Sequence, residues 1–211
     1  MHKQVNNWAL RAAGLPDNLR RGRAVATLAA VVSCDRESRI NSVLDVGAGS
    51  CDHAQYFADQ GARVVAVDLR ELPHGKKIEF MRGDFMHIAG VGVFDLVWCS
   101  HTLEHQRNAG AFIDKLLVNV KPEGLLAITV PQCRWGLASG HLMMWTVGLL
   151  AYHIVLAGID CSDALFIEHG SEICAVIRKR PITLPPLAMD AGDLEILRPY
   201  LPSYCVEGFD R

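Results

Sequence analysis

The sequence lacks a CxxC pair, and its seven cysteines (Cys34, Cys51, Cys99, Cys133, Cys161, Cys174 and Cys205) stand singly. An odd, scattered set excludes a complete disulfide framework and reads as reduced thiols filling an interior. It also offers no spacing for a structural zinc site. A basic surplus is missing too: 21 Lys and Arg face 23 Asp and Glu, for a net charge of −2. No electrostatic footprint for nucleic acid follows from that balance. The short basic group Arg20, Arg21 and Arg23 reads as the solvated face of a helix. The opening MHKQVNNWAL carries no hydrophobic leader, so a cytoplasmic protein is expected. Residues 142–159 are rich in apolar side chains, but Tyr152 and His153 interrupt them. They barely reach the length of a membrane span and read as a buried or partly covered helix. What remains is 211 residues, 50% hydrophobic and 21% charged, the composition of one globular domain.

That domain is organised around residues 43–51, VLDVGAGSC. A short apolar run broken by Asp45 ends in Gly47-Ala48-Gly49, and a helical pattern begins at Asp52. Strand, glycine turn and helix N-terminus together expose backbone N–H groups to a ligand. Dinucleotide sites want a third glycine three positions after the second, where this chain has Asp52. A carboxylate there repels a pyrophosphate, whereas Asp45 before the turn suits a ligand with an ammonium group. The preference therefore runs away from NAD and toward S-adenosylmethionine. Downstream, residues 63–68 (RVVAVD) form an apolar strand ending in Asp68, where an acid can accept both hydroxyls of a ribose.

With these two stretches the chain resembles a class I S-adenosylmethionine-dependent methyltransferase. Residues 80–85 (FMRGDF) resemble that family's adenine-binding turn, 94–105 (FDLVWCSHTLEH) its fourth-strand segment, and 121–131 (KPEGLLAITVP) its fifth. The five motifs stand in the family's order across roughly residues 40–131. One departure is Cys51, where the family often has glycine.

Helical patterns are expected over residues 4–13, 19–32, 52–60, 109–120 and 141–157. Strands are expected over 42–46, 63–68, 78–82, 94–99, 125–130, 164–167 and 173–178, with a turn at 121–124. Alternating strands and helices imply an α/β fold: a doubly wound, mostly parallel seven-stranded sheet with helices on both faces and a C-terminal antiparallel hairpin. The expected organisation is a single domain over 1–211, with helices of 1–40 over the cleft, a Rossmann-like core over 41–180 and a proline-rich tail over 181–211.

The resemblance assigns the donor site residue by residue. The backbone of Gly47, Ala48 and Gly49 approaches the methionine end and ribose, and Asp45 the ammonium group. Asp68 takes the ribose hydroxyls, Leu69 lies against the adenine, and Asp84, with the Phe85 backbone, binds the adenine amino group. Cys99 and Ser100 pass the methionine portion. Asp84 also reads as a turn-capping aspartate. Transfer from a sulfonium needs no metal, and none is expected. For acceptor chemistry the candidates are His101, His105 and His141, each with a structural alternative. Trp8 reads as a core anchor or a lid residue, and Trp145 could stack on an acceptor ring. The Asn- or Asp-Pro-Pro-Tyr signature of amino-methylating enzymes is absent. The expected acceptor is a small molecule, most simply a hydroxyl of a sugar or surface-polysaccharide precursor. Alternatives are a quinone or secondary metabolite methylated at oxygen or carbon, and a donor-binding module without turnover.

Overall fold

The computed structural model describes residues 15–20, 22–38, 40–134, 136, 138 and 140–206. The helix expected over 4–13, with Trp8, lies outside them. Seven strands form one sheet in the order β3-β2-β1-β4-β5-β7-β6. These are β1 (Ser42–Val46), β2 (Arg63–Asp68), β3 (Ile78–Arg82), β4 (Phe94–Ser100), β5 (Val120–Pro131), β6 (Leu165–His169) and β7 (Glu172–Arg178). β1, β2, β3, β4 and β5 pair in parallel, while β7 runs antiparallel to both β5 and β6. This is the doubly wound sheet with a final hairpin expected from the pattern. Gly170, at φ +59°, and Ser171 close the hairpin in two residues.

The strands are apolar on both sides because both faces are covered. Leu44, Val65, Val97 and Leu126 project to one face, against Phe112, Ile113 and Leu116 of the helix Ala109–Val118 and Leu150 and Ile154 of the helix Val147–Leu156. Val43, Val64, Leu96, Trp98 and Ala127 project to the other, against Leu28 and Ala29 of the helix Val25–Ser38 and Phe57 of the helix Asp52–Asp59. Trp98 alone, 1% exposed between the rings of His53 and Phe57, contributes on the order of 2–3 kcal/mol by leaving water.

In chain order the helices are α1 (Asp17–Arg20), α2 (Val25–Ser38), α3 (Asp52–Asp59), α4 (Ala109–Val118), α5 (Val147–Leu156), α6 (Asp193–Leu197) and α7 (Ser203–Val206). Three expectations are corrected. The continuous helix over 19–32 is broken into α1 and α2, because Ala24 takes φ +58°, outside the helical region. The helix expected from residue 141 starts only at Val147, where the Thr146 side chain caps Leu149 N–H. Before it, Leu142 and Met143 give their N–H groups to the Glu104 carbonyl, which holds the segment extended. Residues 121–124 are not a turn between elements but a bulge inside β5: Val120 pairs with Phe94 and Leu125 with Leu96.

The described part of the proline-rich tail docks on the domain. Tyr204 Oη accepts Phe166 N–H at 3.0 Å and donates to the Ala164 carbonyl at 3.1 Å, and Leu197 is fully buried. Among the described residues no helix is long and apolar enough to cross a membrane.

Candidate functional site

Strand order reverses between β1 and β4, and at such a point the loops leaving the two strands part to open a crevice. Here the crevice is a cleft of about 750 Å³ lined by Asp45, Gly47, Ala48, Gly49, Asp68 and Leu69, and further out by Asp84, Phe85 and Ser100. Nine of the ten residues expected around the donor therefore lie together. The tenth, Cys99, does not: it is buried in the core, facing away from the cleft, and burial pushes its thiol far up.

Gly47 sits at φ +78°, and a Cβ there would lie 1.9 Å from Thr102 Oγ1. Thr102 in turn lies within 3.2 Å of the Val46 and Ser100 carbonyls, so the loop after β4 is laid directly on the glycine turn. No Cβ fits between them, so the packing of Thr102 requires the glycine, and the Gly47 and Ala48 N–H groups go to the Val67 carbonyl at 2.8 and 3.2 Å. Asp68 braces the same turn: its Oδ2 accepts Gly49 N–H at 2.9 Å and its Oδ1 accepts Arg70 N–H at 3.1 Å. Each carboxylate oxygen keeps a lone pair for a hydroxyl. Asp84 caps its own turn through Met86 N–H at 2.9 Å and pairs with His87 at 3.1 Å, while still lining the cleft. Leu69, 65% exposed, presents an apolar face where an aromatic base would lie.

Asp45 is 2% exposed, and its Oδ2 has no hydrogen-bond partner. Burial pushes its carboxyl up from 3.8 to about 7; the Ala54 N–H works the other way and the Asp68 charge adds to the rise. A buried carboxylate oxygen without a partner, lining the cleft beside the glycine turn, is chemically suited to a cationic group.

Beyond the glycine turn lies a charged knot that sequence reading did not find. His101 takes φ +53°, an uncommon conformation for a side-chain-bearing residue, fixed by its N–H to the Thr129 carbonyl at 2.9 Å. Its Nε2 lies 2.7 Å from Glu172 Oε1, and its Nδ1 lies 3.3 Å from Oε1 of the fully buried Glu104. The Glu104 oxygens have no well-aligned donor, so that contact is an ion pair rather than a directed hydrogen bond. Burial works to lower the imidazole, but the two carboxylates more than offset it and raise His101 to about 9. Both ring nitrogens then hold protons at neutral pH, which leaves no lone pair for a base. The other oxygen of Glu172 accepts Ala24 N–H at 3.0 Å, tying the segment before α2 to the site.

His105 is set differently. Its Nδ1 lies 2.6 Å from the Gly140 carbonyl, which can only accept, so Nδ1 carries a proton, and its Nε2 lies 3.9 Å from Glu104 Oε1. The His141 ring meets it edge-on at 5.0 Å between centroids. Glu104, His105 and His141 each bring one ligand atom within 4.8 Å of the others, a spacing that can hold a metal ion and that the sequence reading did not foresee. A second cleft of about 400 Å³ adjoins the first, sharing Arg23 and His101 with it, and runs along Pro131, Leu142, Met143 and Met144. Trp145 does not reach it. It is fully buried against His153, so the expected stacking on an acceptor is corrected.

Residues 10–158 match a family model described as a methyltransferase domain. The chain belongs to the class I S-adenosylmethionine-dependent methyltransferases. A ubiquinone biosynthesis O-methyltransferase of Rickettsia canadensis (strain McKiel) is 29% identical over 97 residues, 41% of this chain and 41% of that protein. The chain thus spans about two-fifths of the length of the curated relatives it matches. In fold it is similar to the 1,6-didemethyltoxoflavin-N1-methyltransferase of Burkholderia thailandensis, solved with bound 1,6-didemethyltoxoflavin and S-adenosylhomocysteine. That likeness has TM-score 0.60 and 23% identity over 71% of this chain and 76% of that one. Magnesium protoporphyrin IX methyltransferase from Synechocystis PCC 6803 gives TM-score 0.59 and 14% identity over 84% and 95%.

The site's chemistry fits this family's donor, since the orphaned Asp45 oxygen in the cleft suits an ammonium group. Asp45 must be ionised to take an ammonium. With its carboxyl near 7, donor affinity should rise as pH climbs through about 7, with a proton released on binding. Without donor, the same raised carboxyl costs stability as pH rises from 3.8 to about 7, because the buried site favours the protonated form. Calorimetry in buffers of different protonation heat reads the released proton. An affinity slope identical in Asp45→Asn would show that the pH dependence lies elsewhere.

Proposed function

We propose that this methyltransferase acts on a hydroxyl oxygen of a small, partly apolar acceptor of the quinol or phenol kind, with His105 as the base. One observation carries the reading: a cleft walled by Pro131, Leu142, Met143 and Met144 adjoins the donor cleft, and the donor cleft is lined by His105, whose Nδ1 is tied to the Gly140 carbonyl. When bound, the donor supplies an electrophilic methyl on a positively charged sulfur, which departs as a neutral thioether. Asp45 holds its ammonium end, Asp68 its ribose, and Leu69 and Asp84 its base. Gly47 and Thr102 keep the path to the acceptor short. The acceptor hydroxyl gives its proton to His105 Nε2, and the Gly140 carbonyl steadies the imidazolium that results. His101, already protonated between Glu104 and Glu172, shapes the junction and takes no proton.

A sugar hydroxyl is less well supported, because Leu142, Met143 and Met144 give one wall of the cleft no polar group, although Gln132, Arg134 and Ser171 line it elsewhere. The ubiquinone-pathway relatives favour the aromatic alternative over the sugar. The test is mass-spectrometric detection of methylated product with a benzenediol, a hydroquinone and a glycoside, each with and without a chelator. Methylation of the aromatic diols should exceed that of the glycoside by ~10-fold or more. Preference for the glycoside would overturn the acceptor class. Loss of turnover under chelator would reassign His105 from base to metal ligand.

A further inference from the structure

The second cleft carries more charge than a phenol needs. Arg23 and Arg134 both line it, both are exposed, and neither guanidinium has a carboxylate partner among the described residues. Four other arginines pair with acids: Arg20 with Asp17, Arg63 with Glu79, Arg180 with Glu123 and Asp163, and Arg198 with Glu195. The one carboxylate lining the second cleft, Glu172, is committed through both oxygens, to His101 Nε2 at 2.7 Å and Ala24 N–H at 3.0 Å. The cleft therefore presents two unopposed guanidiniums to whatever enters it, beside an apolar wall. A guanidinium is always charged and matches a carboxylate through two parallel hydrogen bonds.

From this juxtaposition we propose that the acceptor carries a carboxylate, held by Arg23 and Arg134, on the same small aromatic body whose hydroxyl is methylated. The inference rests on the acceptor reading above and adds the group that orients it. A volume of about 400 Å³ suits a single-ring acid and its substituents. With the carboxylate fixed by the arginines and the ring against Met143 and Met144, the hydroxyl can turn in only a few directions. That restriction is what an in-line reaction requires.

The experiment titrates a dihydroxybenzoate, and separately the benzenediol lacking its carboxylate, into the full chain saturated with S-adenosylhomocysteine. Calorimetry reads binding without turnover. The acid should bind ~10-fold or more tightly than the diol at low salt, with the advantage shrinking as salt rises. Arg134→Gln and Arg23→Gln should each bring the two ligands to within ~3-fold, and Arg134→Lys should keep part of the preference. Unchanged melting temperatures establish that the variants are folded. Equal affinities in the parent, a preference that survives both glutamine variants, or binding of neither ligand would overturn the proposal. Methylation of the diol without any preference for the acid would sink the carboxylate alone. A clear preference for the acid with no methylation of any aromatic hydroxyl would sink the reaction reading alone.

Discussion

Replacing His105 by alanine is expected to lower turnover by roughly 10²–10⁴-fold while donor affinity stays within a few-fold of the parent. The expectation follows from the tautomer. The Gly140 carbonyl fixes the proton on Nδ1, so the lone pair on Nε2 is available in the neutral ring and is lost when the ring is removed. His141 stands near enough to substitute, with ring centroids 5.0 Å apart, and His141→Ala should therefore cost much less than His105→Ala. The double variant separates a shared role from a single base. His101→Gln gives a third comparison: with its proton held by Glu104 and Glu172, its loss should disturb the junction without removing a base. Turnover close to the parent in both His105→Ala and His141→Ala would mean that the reaction proceeds by positioning alone. Measuring donor affinity by calorimetry in the same variants guards against reading a binding defect as a chemical one.

Asp68→Ala should weaken donor binding by ~100-fold or more. Hydrogen bonds to a charged group are worth about 1.5–3 kcal/mol each, so losing two to a ribose already exceeds that factor. The structure adds a second effect. Asp68 also holds the N–H groups of Gly49 and Arg70, so its removal frees the glycine turn itself. Asp68→Asn keeps the shape and should fall between parent and alanine. Calorimetric titration with S-adenosylhomocysteine decides it; an affinity within a few-fold of the parent in a folded alanine variant would show that the ribose is held elsewhere.

The strands were legible because β1 and β2 are short, largely apolar runs near glycines and β3 is closed by Gly83, and the bounds of all three agree with the pattern to the residue. The donor cleft was legible for a related reason: Asp45, Gly47 and Gly49 lie in one strand–turn–helix unit, whose geometry depends on near neighbours. Helix starts were less legible. Residues 141–146 have the apolar spacing of a helix, but the Glu104 carbonyl, nearly forty positions earlier, captures their N–H groups. Bulky apolar residues at helical spacing do not say which face turns inward, so Trp145 could not be told from a substrate-facing ring.

By itself the sequence determined most of the strands, the final hairpin and the strand–turn–helix unit of the candidate donor cleft, since apolar period, glycine turns and flanking acids are local properties of the chain. Only the tertiary structure decided the chemistry beyond the donor. His101 and Glu172 are 71 residues apart in sequence yet 2.7 Å apart in space, and their meeting changes an apparent base into a fixed cation. The same folding brings Arg23 and Arg134 to one cleft and sets His105 against the Gly140 carbonyl. A side chain's proton affinity is set by burial and by the charges around it, and in this chain those charges come from separate ends of the sequence.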